Sequence, residues 1–196
     1  MGEITVNAIA ASARDYKESD KLVKLITAER GVINALMKGV KKEKAKLKFA
    51  AMPFSFCEYT LTERGGFYTV TGASPQISLF EVSYNPDNFL TGSLMLETAA
   101  HAMGTEAAPD IFFYLLKSIK ALLYSGVDGY SVALNFVCKM LVWGGHYALS
   151  AADAEYSCDV ENQTAIDRAL SETKLKKLAR LFQDKYGCTL NSAAML

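Results

Sequence analysis

Histidine and tryptophan are nearly absent from this 196-residue chain, with two and one respectively, and there are only four prolines and four cysteines. Cys57, Cys138, Cys158 and Cys188 are separated by 81, 20 and 30 residues. No pair has the C-x2-C spacing of a zinc knuckle, and the number is too small for a disulfide scaffold. His101 and His146 have no Cys, Ser or acidic partner at a catalytic or metal-ligand spacing, and both read as structural or surface residues. Gly-x-Gly-x-x-Gly and Gly-x4-Gly-Lys-Ser/Thr phosphate loops are missing, so nothing in the pattern points to catalysis. A basic leader followed by an apolar run is missing as well, and the expected location is the cytoplasm. The longest low-charge stretch, Val132 to Ala152, contains Asn135 and Lys139 and is broken by Gly144-Gly145, which favours a buried helix over a membrane span.

What is present is ample apolar material, 51% of residues, with 21% charged. A chain of this length buries roughly 70% of its unfolded surface, enough for a core without covalent staples. The charges balance at 21 basic and 21 acidic, but unevenly along the chain. Residues 1–50 carry a surplus of five basic residues, residues 51–80 one surplus acid and residues 81–196 four. A neutral total therefore hides a basic first third beside an acidic middle.

Up to about Ser78 the pattern is that of strands. Ile4, Val6, Ala8 and Ala10 alternate with small or polar residues at period 2. The polar series Arg14 to Asp20 reads as a bend, followed by apolar runs at Leu22–Thr27 and Val32–Met37 about a turn at Glu29-Arg30-Gly31. Phe54–Leu61 and Phe67–Val70 form a further hairpin through Gly65-Gly66. Four to five short strands in this length suggest a small closed barrel, which leaves no exposed edge.

Beyond Ser78 the period becomes helical. Helices are expected from Asn85-Pro86-Asp87 to Gly104, from Pro109-Asp110 through Leu123, from about Tyr130 to Trp143, and from about Thr173 to Tyr186 with Gly187 as C-cap. Residues 146–161, with Asp153, Glu155, Asp159 and Glu161, read as a solvated acidic loop. The fold class is α+β, with a domain boundary near residues 78–85, giving a barrel domain over 1–80 and a helical domain over 81–196.

The strongest local signal is Lys38-Gly39-Val40-Lys41-Lys42-Glu43-Lys44-Ala45-Lys46-Leu47-Lys48, directly after a barrel strand. Loops on such barrels commonly hold single strands of nucleic acid, with lysines on phosphates and outward aromatics under bases. Arg14, Lys17, Lys21, Lys24 and Arg30 extend the patch if the barrel brings them to one face. Among Tyr16, Phe49, Phe54, Phe56, Tyr59, Phe67 and Tyr68, most belong to the core, and Tyr16 is the best stacking candidate.

This series resembles the bacterial RecO family. The likeness rests on Arg14-x-Tyr16-x-Glu18-x-Asp20, Leu22 with Thr27, Gly31 after the basic turn, Lys38-Gly39 leading into the basic run, and Pro53-Phe54 opening the next strand with Glu58 inside it. It covers residues 1–80 and continues beyond only as a helical pattern ending at Tyr186-Gly187. The resemblance implies an N-terminal OB-fold barrel followed by an α-helical domain, and a non-catalytic mediator of DNA repair and recombination. Such a protein binds single- and double-stranded DNA, anneals complementary strands and, with RecR, helps load RecA onto strands covered by single-strand-binding protein. Read from the basic run and its neighbours, the candidate DNA-binding residues are Arg14, Tyr16, Lys17, Lys21, Arg30, Lys38, Lys41, Lys42, Lys44, Lys46 and Lys48. Lys117, Lys120 and Lys139 are candidates for contacts to the acidic tail of the single-strand-binding protein. The zinc-ligand cysteines expected after the third helix are replaced by Cys158 alone, so no metal or cofactor is expected. Two alternatives remain open: a protein-interaction adaptor whose barrel has no direct DNA role, and a metal-dependent enzyme using His101, His146 and Cys158.

Overall fold

The computed structural model describes residues 2–164 and 166–196 and divides into two compact units. The first takes in the chain through Phe80 together with Met103–Phe112. It contains five strands: β1 (Gly2–Tyr16), β2 (Asp20–Thr27), β3 (Gly31–Met37), β4 (Ser55–Arg64) and β5 (Phe67–Ser78). They close into a barrel in the order β1-β2-β3-β5-β4, antiparallel except for β3 and β5, which run parallel through the pairs Ala35–Tyr68 and Leu36–Thr69. This five-stranded Greek-key closure is the OB-fold.

Strand β1 makes the closure possible because it is long enough to belong to both sides. Gly2–Ile9 pair with Glu63–Phe56 of β4, and Ala8–Tyr16 pair with Thr27–Asp20 of β2, with a register shift between Ala10 and Ser12. A bulge of this kind bends the strand and increases its twist. The alternation read from the sequence fills the interior: Val6, Ala8, Ala10, Val23, Leu25, Ile33, Ala35, Met37, Cys57, Tyr59 and Leu61 are all buried there. Full burial of a side chain such as Leu25 contributes about 1.5–3 kcal/mol. The small residues Ala8, Ala10 and Ala35 leave room for Tyr59, whose hydroxyl donates to the Ala50 carbonyl at 2.7 Å.

Two strands differ from the expected boundaries. Arg14, Asp15 and Tyr16 belong to β1 and pair with Leu22, Lys21 and Asp20, so the bend shrinks to Lys17–Ser19. All three side chains are exposed at this rim of the barrel, which removes the apolar half of the alternation. β5 continues past Val70 to Ser78, held on β4 through two register shifts despite Gly72 and Pro75.

The segment Met103–Phe112 groups with the barrel, although it lies beyond the expected boundary. Val32 N–H donates to the Gly104 carbonyl at 2.8 Å. Gly31 has φ +65°, and a Cβ there would lie 2.5 Å from the Glu106 carbonyl oxygen, so this approach requires glycine for two reasons.

The second unit comprises Glu81–Ala102 and Phe113–Leu196. Its helices are α1 (Pro86–Met103), α2 (Pro109–Tyr124), α3 (Gly129–Trp143), α4 (Ala154–Ser157) and α5 (Arg168–Tyr186), with the last residue of α1 and the first turn of α2 grouped with the barrel. Asp128 caps α3 by accepting from Tyr130 N–H at 2.9 Å and Ser131 N–H at 3.3 Å. α3 is buried on almost every side and packs against α5, whose Leu175, Leu178, Ala179 and Phe182 are buried. α5 begins five residues before the expected Thr173, because Asp167 accepts from Leu170 N–H at 3.0 Å and so caps an earlier start. Gly187 closes it with φ 59°.

Residues 146–161 are not a solvated loop throughout. They form α4 and two 3-10 turns, Ala151–Asp153 and Val160–Asn162. Asp153 is 4% exposed and accepts from Ser150 N–H at 2.8 Å, Ser150 Oγ at 2.7 Å, Tyr147 Oη at 3.2 Å and Tyr156 Oη. These donors, Tyr156 first, hold its carboxyl down to about 2. Among the described residues no helix is long and apolar enough to cross a membrane.

Candidate nucleic-acid interface

The β1–β2 turn and the β3–β4 connection meet at one end of the barrel. Gly39 N–H donates to Asp20 Oδ1 at 2.7 Å, and Lys41 N–H to the Ser19 carbonyl at 3.0 Å. Past this anchor the connection folds into successive turns, with Lys42 N–H on Gly39 O and Ala45 N–H on Lys42 O, each at 3.1 Å. Its apolar residues face inward: Val40 is buried, and Leu47 packs against the barrel core. Lys38, Lys42, Lys44, Lys46 and Lys48 stay exposed on the other side. The basic run is thus a surface of fixed position whose apolar members hold it and whose lysines point to solvent.

Lys41 differs from its neighbours. Its Nζ lies 2.5 Å from Asp15 Oδ2, and among the described residues it is the only lysine of the run in an ion pair. The hydrogen bond from Lys41 holds the Asp15 carboxyl below its ordinary value, with a smaller contribution from the charge of Lys21. Asp15, Lys21, Lys41, Lys48 and Met52 line an open cleft of about 480 Å³. Lys48 Nζ also donates to the Glu43 carbonyl at 3.1 Å.

Arg14, Tyr16 and Lys17 lie at the same end. Arg14 is exposed beside Leu22, its partner on β2. Tyr16 is 45% exposed and ends β1 instead of standing in a bend, with Lys17 Nζ 5.6 Å from its ring centroid. Lys24 lies on the outer face of β2, paired with Asn34 of β3. Arg30 is not brought to this patch: it sits on the β2–β3 turn, a strand of eight residues away, or roughly 25 Å.

The aromatic residues divide by burial. Phe54 and Tyr59 are inside, and Phe56 packs its ring against Phe112 with centroids 6.1 Å apart. Tyr68 packs on the core. Phe67 is 81% exposed at the start of β5, next to Tyr68, which pairs with Ala35 of β3. Phe49 is partly exposed on the 3-10 turn Phe49–Ala51 that ends the lysine connection.

Sequence reasoning missed an apolar slot beside the basic cleft. Its volume is about 310 Å³, and Phe49, Met52, Phe54, Phe56, Ile77 and Phe80 contribute to its lining. Met52 belongs to the slot and to the cleft. Phe49 and Phe56 were visible only as two of seven aromatics, and Ile77 falls in a stretch whose composition does not suggest a strand.

In the helical unit, Lys117 Nζ is engaged by Asp159 at 3.1 Å and Glu161 at 3.0 Å. Lys139 lies over the rings of Tyr114 and Trp143, at 5.7 and 5.9 Å from their centroids. Lys120 is partly buried on α2. His146 meets Tyr186 edge-on at 5.1 Å between centroids. Burial raises the thiols of Cys57, Cys138 and Cys188, that of Cys138 to about 11, so they are poor nucleophiles at neutral pH.

Residues 1–78 match the family described as Recombination protein O N terminal. Proteins named DNA repair protein RecO are similar over a longer span. The one from Caldicellulosiruptor saccharolyticus is 26% identical over 147 residues, 75% of this chain and 60% of its own length. That from Desulfitobacterium hafniense is 28% identical over 147 residues, 74% of this chain and 53% of its own length. The Clostridium novyi protein is 30% identical over 140 residues, 71% and 55% of the two chains. This chain thus spans between about half and three-fifths of the length of these curated relatives. Alignments of this length must run past the barrel into the helices, so the likeness to RecO proteins exceeds that of one small barrel to another, with the barrel itself matching the Recombination protein O N-terminal family.

Proposed function

We propose that this chain is a non-catalytic DNA-binding mediator of repair and recombination, which holds single- and double-stranded DNA at the lysine end of its barrel and promotes strand annealing. The observation that carries this reading is the lysine connection, pinned to the β1–β2 turn through Gly39 and Lys41 so that five lysines present to solvent from a fixed base. Fixed cations release the counterions of DNA without base recognition, which suits a protein that must act on any sequence. The proposed phosphate contacts are Lys38, Lys42, Lys44, Lys46 and Lys48, with Tyr16 as a stacking surface; Arg14, Lys17 and Lys21 lie at the same end outside this count, and Lys41 contributes only where its pair with Asp15 opens. Assistance to RecA loading, with RecR and single-strand-binding protein as partners, belongs to the same proposal. It rests on relatives named DNA repair protein RecO. Of the helical lysines proposed for a partner's acidic tail, Lys120 and Lys139 fit better than Lys117, which already serves Asp159 and Glu161.

The test is a titration of fluorescent single-stranded oligonucleotide at several salt concentrations. Five lysines on phosphates give a slope of log K against log salt of about −3.5. Replacing Lys41, Lys42, Lys44 and Lys46 by Ala leaves Lys38 and Lys48 and brings the slope to about −1.4. Absence of binding by the unaltered chain, or a slope unmoved by the four replacements, refutes direct DNA handling by this surface. Strand annealing with and without single-strand-binding protein then tests the mediator step.

A further inference from the structure

We infer that the apolar slot beside the basic cleft receives one unstacked base of a single strand whose phosphate lies in the cleft, so that this end of the barrel distinguishes single strands from duplex. The inference rests on the DNA-binding reading and adds to it a base site.

Three observations lead to it. First, the backbone that lines the slot is fixed in place. Phe54 is fully buried and has φ +66°, a conformation that is rare for a bulky residue and costs energy to hold. Its N–H donates to the Ala10 carbonyl at 2.9 Å, which fixes the entry into β4. The turn before it is tied by Ser55 Oγ to the Phe49 carbonyl at 2.5 Å, by Met52 N–H to the same carbonyl at 3.2 Å and by Tyr59 Oη to Ala50 O.

Second, this turn keeps Phe49 and Met52 partly in solvent at 37% and 39%, with Ile77 of β5 at 37% beside them. Three large apolar side chains around one concavity are worth explaining, because exposed apolar groups that cluster mark binding sites more often than scattered ones. Third, the slot shares Met52 with the cleft that holds Lys21 and Lys48 beside the Lys41–Asp15 pair, three cations against one acid.

An apolar recess next to cations fits an occupant that joins a flat apolar group to an anion. A nucleotide within a single strand has both. Its base can leave the stack to lie against Phe49 and Met52 while the adjoining phosphate meets the lysines. A duplex offers the same phosphates but keeps its bases stacked and paired, so it gains from the cleft and not from the slot. Phosphate attraction and base insertion therefore separate experimentally: the first depends on salt, the second on strandedness.

The experiment uses the full chain with a single-stranded oligothymidylate containing one 2-aminopurine, and a duplex of equal length. The variants are Phe49→Ala with Ile77→Ala, and Phe49→Leu alone in case the double variant folds poorly; neither residue lines the cleft. Circular dichroism checks both. The expected result is a loss of single-strand affinity of roughly five- to a hundredfold, the range for removing one base–aromatic contact. Duplex affinity and the salt slope stay unchanged, and the 2-aminopurine signal on binding is lost. Lys42→Ala with Lys44→Ala lowers affinity for both forms and makes the slope shallower.

Folded slot variants that bind the single strand as tightly as the unaltered chain, while the lysine variants still lose binding, overturn the base site and leave the DNA-binding reading standing. Equal losses for single strand and duplex also overturn it. An acidic peptide ending in phenylalanine that binds the unaltered chain and not the slot variants, with oligonucleotide affinity unaffected by those variants, assigns the slot to a protein instead. If the unaltered chain binds neither nucleic acid, the DNA-binding reading itself falls.

Discussion

Asp15 is an acid placed where an anion from outside is proposed to bind, and replacing it with Asn is predicted to strengthen the grip on DNA. Its carboxylate pairs with Lys41 at 2.5 Å and is also influenced by Lys21. A phosphate entering the cleft must therefore displace it or leave Lys41 unused. With Asp15 in place, the solvent-facing lysines are Lys38, Lys42, Lys44, Lys46 and Lys48, for a slope of about −3.5 on single strands. Asp15→Asn keeps the shape and removes the charge. It frees Lys41 as a sixth contact and steepens the slope to about −4.2. Between 50 and 200 mM salt the loss of affinity then grows from about a hundredfold to about three hundredfold. At the lower salt the variant binds about two- to fivefold more tightly, the range for releasing one exposed ion pair. Fluorescence anisotropy of a labelled oligonucleotide at four salt concentrations reads both quantities. Adding Lys41→Ala to the variant should return the slope to about −3.5, since both members of the pair are then gone. A slope unchanged or shallower in Asp15→Asn refutes the idea that this carboxylate occupies a phosphate position. The native pair persists at neutral pH, because Lys41 holds the carboxyl below its ordinary value; it is released only as acid protonates Asp15, so the effect belongs to the substitution and not to a physiological pH change.

Two further predictions concern the scaffold. Asp153 accepts four hydrogen bonds while buried, and its carboxyl is held at about 2, against ~3.9 in an unfolded chain. That difference stabilises the folded state by on the order of 2 kcal/mol at pH above about 5, and the contribution is lost as pH falls through 2. Asp153→Asn should lower stability in urea by about 2 kcal/mol at pH 7 and flatten its dependence on pH below 4; equal stability of the two proteins at pH 7 refutes the assignment. Gly31→Ala places a Cβ 2.5 Å from the Glu106 carbonyl oxygen at φ +65°. The expected cost is about 2–4 kcal/mol, combining left-handed strain with overpacking, and a melting temperature within a degree of the original argues against the close approach of Met103–Phe112 to β3.

Elements whose periodicity and terminators agree were legible in the sequence. Helix α1 begins at Pro86 and is followed by Gly104, α3 stops before Gly144-Gly145, and α5 ends at Gly187, each with a residue whose backbone preference forces the boundary. The barrel interior was legible in β1, where one-sided burial imposes period 2 from Ile4 to Ala10, while β2 and β3 were visible as apolar runs about the Gly31 turn. The far half of β5 was not, because Gly72, Ser74 and Pro75 are poor strand residues kept in place by pairing with β4, an interaction between distant parts of the chain. Asp153 was read as one acid among several. The signal for its burial was Ser150-x-x-Asp153, a capping-box spacing, with Tyr147 and Tyr156 close enough to donate. The basic run could be seen from composition alone. The slot could not, since Phe49, Met52 and Ile77 meet only when the end of β5 is laid beside the turn before β4.

The structure also gives physical content to the balance of 21 basic and 21 acidic residues. In the helical unit, acids and bases pair with one another: Asp159 and Glu161 with Lys117, Asp87 with Arg168, and Glu172 with Lys176. In the barrel the acids do something different. Asp20 accepts from a backbone N–H and so positions the start of the lysine connection without neutralising a lysine, and Asp15 takes Lys41 alone. Exposed pairs of this kind contribute little to stability. Their consequence is electrostatic: Lys117, Arg168 and Lys176 are each matched by an acid, whereas five lysines of the barrel connection face solvent in no ion pair among the described residues. A protein of zero net charge gains little from non-specific attraction over its whole surface, because that attraction falls off within about a Debye length. The densest group of unmatched cations then lies at the lysine end, next to the apolar slot, so that the proposed phosphate and base contacts adjoin one another.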